Sequence, residues 1–530
     1  MAVHAQEMKN MDGVLVKRNP RTGEVLYTIT EPTDAELDAV MQRAWEVQRI
    51  VARMSVHERI AETQKLKRYL IEHKQRIAQS IVAENGKSLG DALVGDVFTC
   101  LDLIHYYEKY APKFLADEKV PTPIMLMGKA SKIMYCPIGP VLVISPWNYP
   151  LNTSLTPALC AFLAGNAVII KPSEWTPMRG LLDTILHESG FLKDAMQVVF
   201  GGRETGRRLI LRKPAKVFFT GSVRGGKEIL AQCAPLLIPA ELELGGKDPM
   251  IVFADANLER CTNGAVWGAM NNTGQGCTSV ERCFVQRTIY DAFVEKVKEK
   301  AKKLTTLDTF DATACPARLD LGCITTPFQL ETIRRHIRDA QERGASVWMA
   351  YEPNPESTSF PPTIVTNVTS DMLIQREETF GPVMTVMAFD TEEEAIALAN
   401  DTAYGLSSSV WTADLDRAER VARALEAGNV CINDVMVTEG NSALPFGGVK
   451  NSGIGRYKGR VGLHSFCNIK SVMVDKGTKN SEANWYPYTE EKYRLLERVI
   501  DTAFERRADA FLKLALTGLK LDSLSRRQTL

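Results

Sequence analysis

From Val141 onward, short runs of apolar residues alternate with longer amphipathic stretches. The runs Val141 to Ile144, Ala167 to Ile170, Gln197 to Phe200 and Lys216 to Phe219 are apolar apart from their opening Gln197 and Lys216, and the stretches between them carry helical periodicity. Strands covered on both faces and joined by helical crossovers make a parallel sheet, so the pattern predicts a doubly wound α/β unit of the nucleotide-binding kind. A second α/β segment begins at Met250 to Phe253 and continues to about Phe446. Its strand candidates are Cys283 to Gln286, Val383 to Phe389 and Val430 to Ile432, with helices over Ile289 to Leu304 and Thr391 to Asn400.

The flanking regions read differently. Asn19-Pro20-Arg21-Thr22-Gly23-Glu24 forms a turn between two extended pieces. Thr33 with Glu36 and Ser55 with Glu58 are spaced as capping boxes, and Leu37, Val40, Met41, Ala44 and Val47 give the first helix one apolar face. Ile124 to Pro137, rich in Ile, Met and Tyr around Gly128, predicts a strand pair that Cys467 to Val474 can join. Gly453-Ile454-Gly455 reads as a turn. The last segment, Ser481 to Leu530, is helical by pattern, with Leu495, Leu496, Val499, Ala503 and Phe504 on one face.

A chain of 530 residues is too long for one ordinary core, so at least two domains are expected. Lys plus Arg and Asp plus Glu number 64 each, which gives no reason to expect a nucleic-acid partner. The eleven cysteines include no Cys-x-x-Cys pair and the seven histidines form no ligand-spaced cluster, so no metal site is expected. Scattered cysteines of this kind also suit reduced thiols in the cytoplasm. Met1 to Asn10 lacks the succession of a signal peptide, and the apolar segments Pro140 to Trp147 and Ala158 to Ile170 are interrupted and fall short of a membrane span.

Candidate chemistry centres on Asn271-Asn272-Thr273-Gly274-Gln275-Gly276-Cys277, where one cysteine sits among small and polar residues. A thiol without apolar neighbours is placed for a cleft rather than a core, which makes Cys277 a candidate nucleophile. Glu243, which precedes it by 34 positions, lies between two leucines. Apolar flanks desolvate a carboxylate and raise its pKa toward that of a general base, and Gly245 and Gly246 would let backbone approach a ligand. Phe219-Thr220-Gly221-Ser222 ends a strand and opens a helix, where backbone amides attract a pyrophosphate. It is not a G-x-G-x-x-G fingerprint, and none followed by an acid is present.

Taken together, Leu242-Glu243-Leu244-Gly245-Gly246-Lys247 and the Cys277 segment resemble the aldehyde dehydrogenase superfamily, and further motifs in family order extend the likeness from about Asn19 to Val474. The resemblance implies an aldehyde dehydrogenase-like α/β fold of two doubly wound parallel-sheet domains plus a small oligomerisation β element. It places the dinucleotide-binding domain over 1–122 and 138–246, the catalytic domain over 247–450, oligomerisation strands over 123–137 and 465–477, and a helical extension over 478–530. It implies NAD as cofactor, with NADP as the other option, held by Trp147, Lys171, Glu174, Thr220, Gly221, Ser222, Glu378 and Phe380. By the same likeness Cys277 is the nucleophile, Glu243 the base and Asn148 the oxyanion donor, while Tyr149 and Phe446 meet the substrate.

The expected reaction is oxidation of an aldehyde to its acid, and Trp485-Tyr486-Pro487-Tyr488 resembles the C-terminal extension of the fatty-aldehyde branch. That likeness favours an apolar aldehyde of medium or long chain and leaves open a contact between Phe511, Leu512, Leu514 and Leu516 and a membrane surface. A homodimer or homotetramer is implied. Two other readings stand: a semialdehyde dehydrogenase, for which a cation such as Arg282 would have to face the tunnel, and an inactive structural homologue.

Overall fold

The computed structural model describes residues 13–123, 126, 128–311, 314–504 and 508–527. The chain separates into one unit that runs to Leu115 and then over Cys136–Asn468, and a second over Ala116–Tyr135 and Ile469–Leu530.

In the first unit the apolar runs form strands Val141–Ile144, Val168–Lys171, Met196–Val198 and Lys216–Thr220, joined by Ala240–Glu243 in one parallel sheet. Its order is Gly453–Ile454, Ala240–Glu243, Lys216–Thr220, Val141–Ile144, Val168–Lys171, Met196–Val198. Every residue of the Val141–Ile144 and Val168–Lys171 strands is buried, as a sheet covered on both faces requires. Leu37, Met41 and Ala44 of the first helix pack on Leu142, Ile144 and Ile169. The helix itself begins at the Thr33 capping box, and a second box at Ser55 starts the helix Val56–Asn85. The Asn19–Glu24 turn closes through mutual backbone hydrogen bonds, with Gly23 at φ +75°.

Gly453-Ile454 is not a turn. It forms a two-residue strand antiparallel to Leu242 and Glu243. Gly453 has φ +146°, and a Cβ on it would lie 2.2 Å from the Leu242 carbonyl oxygen, so glycine is what lets this edge pair close against Glu243.

A seven-stranded sheet holds the later strands in the order Ser346–Met349, Thr363–Thr366, Val383–Phe389, Val280–Gln286, Asp248–Val252, Ser407–Trp411, Asn429–Ile432. Only the edge strand Ser346–Met349 is antiparallel to its neighbour. Ligands of doubly wound sheets gather beyond the carboxyl ends of the strands. In the first sheet those ends lead to Pro146–Tyr149, to Lys171, to Thr220–Ser222 and to Glu243.

In the second unit Cys467–Val474 and Ala130–Pro137 pair, and Glu118–Val120 runs antiparallel to Ala130–Pro137. The partner strand therefore lies ahead of Pro121 and Pro123, which cannot donate to a ladder, instead of starting at Ile124; Ile124, Met125 and Met127 lie outside the described residues. Helices Glu490–Ala503 and Ala508–Arg527 pack through Leu495, Val499, Leu514 and Leu521. Leu496 and Ala503 join that face, but Phe504 follows the last helical residue and is 85% exposed. Leu514 belongs to this packing, whereas Phe511, Leu512 and Leu516 are exposed. No helix among the described residues is long and apolar enough to cross a membrane.

Candidate active site

A cavity of about 370 Å³ opens at the carboxyl ends of the first sheet. Every residue singled out above as catalytic, cofactor-binding or substrate-facing lines it, from Lys171 and Ser222 to Cys277 and Phe446.

The Cys277 loop is built by its own sequence. Asn272 and Thr273 adopt left-handed backbone at φ +52° and +58°, a conformation Asn tolerates better than Thr and one that persists only where the surroundings fix it. Gly274 follows at φ +69°, and a Cβ there would lie 2.0 Å from the Gly381 carbonyl oxygen. Gln275 then pins the loop: its amide nitrogen donates to the carbonyls of Asn272 (3.2 Å) and Cys323 (3.1 Å), and its oxygen accepts from the Thr325 N–H at 2.9 Å. These contacts hold Cys277 half-buried at the cavity wall. Burial pushes its thiol well above the ordinary range, and the charges of Glu439 and Glu243 push it the same way.

Glu243 is 4% exposed, and neither carboxyl oxygen has a hydrogen-bond partner among the described residues. Desolvation raises its pKa well above the usual carboxylate value, with the neighbouring Glu241 charge adding to the effect. A buried carboxyl left without protein donors is costly for the fold, so its presence on a cavity wall is best explained by a transient partner. Gly447 makes room for it, since a Cβ there would fall 2.7 Å from Glu243 Oε1. Gly245 and Gly246 turn out to make room for protein groups. A Cβ on Gly245 would meet Glu378 Oε2 at 2.2 Å, and one on Gly246 would meet the Cys277 carbonyl oxygen at 2.4 Å. Glu378 Oε1 accepts the Gly246 N–H at 3.0 Å, and burial pushes its carboxyl up to about 8.

Asn148 and Tyr149 sit at the start of the buried helix Pro150–Leu163. The Asn148 amide donates to the Gln275 carbonyl at 3.2 Å, which ties it to the thiol loop. Tyr149 donates to Asn271 Oδ1 at 2.9 Å. The helix end is fixed by Asp96, whose Oδ1 accepts the Leu151 and Asn152 N–H groups at 3.0 and 3.2 Å. Asp96 Oδ2 pairs with Lys87 Nζ at 2.8 Å, both side chains fully buried. Asp96 comes from a π-helical stretch, Ala92–Phe98, in which Gly95 leaves space for the Tyr149 ring.

Elsewhere on the wall, Ser222 caps the helix Val223–Cys233 by accepting the Gly225 N–H at 3.2 Å, leaving the first amides of that helix facing the cavity beside Arg224. Lys171 Nζ and Glu174 Oε2 are 3.1 Å apart. Trp147 stands edge-on to Phe380, ring centres 5.4 Å apart. Helix-terminal amides, cationic side chains and a carboxylate with aromatic faces beyond form a donor set that fits a dinucleotide: pyrophosphate on the amides, ribose hydroxyls on the carboxylate, a flat ring against the aromatics.

Sequence reasoning passed over Glu281. This buried carboxylate accepts the Thr379 N–H through both oxygens (3.0 and 2.8 Å) and the Phe380 N–H at 2.8 Å, and pairs with Lys247. It holds Phe380 in a left-handed conformation, φ +49°. The available signal was an acid inside the otherwise buried strand Val280–Gln286, an expensive position unless the charge is used. Asp96, Tyr457 and Glu439 were missed as well.

Arg282 does not face the cavity. It is 2% exposed and donates to the carbonyls of Lys247, Leu398 and Ala399 at 2.9, 3.0 and 2.8 Å, so it braces backbone.

The sequence profile of the Aldehyde dehydrogenase family matches residues 8–472. The chain belongs to that family. This aldehyde dehydrogenase is 39% identical over 453 residues to 4,4'-diapolycopene aldehyde oxidase of Methylomonas sp, covering 84% of this chain and 83% of that protein. Among solved structures it resembles the putative aldehyde dehydrogenase PutA from Anabaena variabilis, with a TM-score of 0.83, 36% identity and 89% and 100% of the two chains covered. It also resembles the NAD+ complex of aldehyde dehydrogenase from Bacillus cereus, with a TM-score of 0.81, 33% identity and 87% and 93% covered. The α/β architecture of parallel-sheet units is shared with these structures, and the chain is an NAD(P)-dependent oxidoreductase acting on aldehydes.

Proposed function

We propose that this aldehyde dehydrogenase oxidises an apolar aldehyde of medium or long chain, with Cys277 as nucleophile, Glu243 as base and Asn148 as oxyanion donor. The observation that carries the reading is the meeting of Cys277 and an unpartnered, desolvated Glu243 on one cavity wall lined by Tyr149, Phe446 and Tyr457. As the Cys277 sulfur bonds to the carbonyl carbon, its proton leaves for the ionised Glu243 carboxylate, and the new oxyanion accepts from the Asn148 amide and the Cys277 N–H. Such donors contribute about 2.7–4 kcal/mol each in comparable sites. Bound NAD or NADP supplies the acceptor for the hydride that leaves the thiohemiacetal carbon. Cys277 then carries the acyl group as a thioester; Glu243, once it has lost the thiol's proton to solvent, takes a proton from the attacking water and returns it to the departing Cys277 sulfur as the acid is released.

Lys171 and Glu174 would hold the adenosine ribose, Thr220, Gly221 and Ser222 the pyrophosphate, Glu378 the nicotinamide ribose, and Trp147 and Phe380 the ring. A carboxylate at Glu174 disfavours a 2′-phosphate, which supports NAD over NADP. On this reading the six-stranded sheet is the cofactor-binding half and the seven-stranded sheet carries the nucleophile. Gly245→Ala should drive a Cβ into the Glu378 carboxylate. The expected result is a KM for NAD raised about tenfold, or about 1.4 kcal/mol, with the aldehyde KM little changed; unaltered cofactor kinetics would remove Glu378 from the cofactor site.

The apolar preference is supported by the aromatic wall and by the likeness to 4,4'-diapolycopene aldehyde oxidase. A semialdehyde substrate is opposed by the placement of Arg282 on backbone carbonyls, and an inactive homologue by the intact pair of Cys277 and Glu243. For assembly we favour a homodimer or homotetramer. Cys467–Val474 is an edge strand with Ile469, Met473 and Val474 exposed, which supports pairing with a second copy.

The test is a series of straight-chain aldehydes from two to about twelve carbons, with NAD and NADP in parallel. Values of kcat/KM should climb about threefold to fourfold for each methylene that becomes buried, and be higher with NAD. A flat or falling series would overturn the apolar assignment.

A further inference from the structure

Among the charged groups on the cavity wall to which the mechanism gives no role is Glu439. Glu439 lies in the short helix Val437–Gly440, is half-buried, and its carboxylate makes no hydrogen bond or ion pair among the described residues. Its backbone is held firmly: the N–H donates to the Met436 carbonyl at 3.2 Å, and its own carbonyl accepts from Lys458 Nζ at 2.7 Å.

Its neighbours place it beside the Cys277 loop. Beside Gly276 the closest side chains are those of Met436 and Tyr149, and Met436 opens the Glu439 helix. Lys458, which holds the Glu439 carbonyl, stands 5.7 Å from the Phe446 ring centre and 5.4 Å from that of Tyr457. Among charged groups, Glu439 exerts the strongest influence on the Cys277 thiol, and it also acts on Tyr149, Glu243 and Tyr457. The cations nearby are turned elsewhere. Lys458 and Arg456 give N–H groups to the carbonyls of Glu439, Gly448 and Gly455, and neither lines the cavity. The aldehyde's side of the thiol is thus an aromatic chamber in which Glu439 adds a negative charge to that of the base Glu243.

We infer that Glu439 sets the charge that an otherwise apolar aldehyde is allowed to carry: among substrates of one shape, a cationic group a few bonds from the carbonyl is favoured over a neutral one, and a carboxylate is rejected. This rests on the reading of Cys277 as nucleophile and adds the distal substrate group to it. A charge brought close to a carboxylate in a partly desolvated chamber is felt far more strongly than in bulk water, and the sign of the interaction separates the three classes.

The test uses the full-length enzyme and three aldehydes of equal length, ending in trimethylammonium, in the isosteric tert-butyl group and in carboxylate. For the wild type kcat/KM should fall in that order, by about tenfold between the cation and its isostere, and added salt should narrow the spread. Glu439→Gln should bring the cation-to-isostere ratio near one, while Glu439→Asp should keep its sign. Ratios do not depend on the fraction of active enzyme, so partial misfolding of a variant leaves the readout intact. Equal rates for cation and isostere in the wild type, or a ratio that survives Glu439→Gln, would overturn the inference while leaving the assignment of Cys277 in place. No cofactor reduction with any of the three would overturn both.

Discussion

Cys277→Ala should lower kcat/KM for every aldehyde by about four orders of magnitude or more, while the folded enzyme still binds NAD. Removal of a nucleophile abolishes the covalent path, and what survives comes from binding and preorganised dipoles alone. The fold should tolerate the change, because the loop is held by Gln275, Asn272 and Gly274, and the thiol makes no hydrogen bond of its own among the described residues. Steady-state rates with a medium-chain aldehyde, alongside NAD titration by protein fluorescence, check both halves. Residual activity within tenfold of wild type would assign the chemistry elsewhere.

Glu243→Gln should separate the two halves of the reaction. The side chain keeps its shape but loses its proton-accepting oxygen, so reduction of one cofactor per site should still occur, at a slower rate because solvent must now accept the thiol proton, followed by a turnover slowed about 10²–10⁴-fold. A pH dependence accompanies it. Burial raises the Glu243 pKa, so the wild-type carboxyl keeps its proton to a higher pH than an ordinary glutamate, and only the ionised form serves as a base. The rate of acyl-enzyme hydrolysis should therefore fall as pH is lowered and rise as it is raised, and Glu243→Gln should flatten that dependence. Stopped-flow recording of NADH formation over a pH series reads the burst and the later rate together.

The fold was legible where burial dictated the pattern. Val141–Ile144 and Val168–Lys171 could be read because a strand covered on both faces is apolar along its length, with Lys171 alone breaking the run at a carboxyl end. The Gly453–Ile454 strand could not, since a two-residue pairing leaves no periodicity and depends on a glycine against the Leu242 carbonyl. In the hairpin region, the ladder stops at Val120 because prolines follow, a local signal outweighed by the Ile, Met and Tyr content downstream.

In the site, contiguous motifs were readable and long-range partners were not. The run from Thr273 to Gly276 announces an unusual backbone, yet nothing in it reveals that Gly274 lies against Gly381 or that Gln275 reaches Cys323 and Thr325. Arg282 shows the converse difficulty: a charge beside a motif suggested a substrate contact, and the structure gives it three backbone carbonyls. Glu439 lies in a segment with no motif, so only the fold brings it to the thiol.

The most direct measurement is the mass of the Cys277 peptide from the Glu243→Gln enzyme quenched after mixing with NAD and a medium-chain aldehyde. The account predicts an added acyl group on Cys277, present in nearly one copy per site after the burst. An unmodified Cys277 in an enzyme that has reduced its cofactor, or undiminished steady turnover, would contradict it.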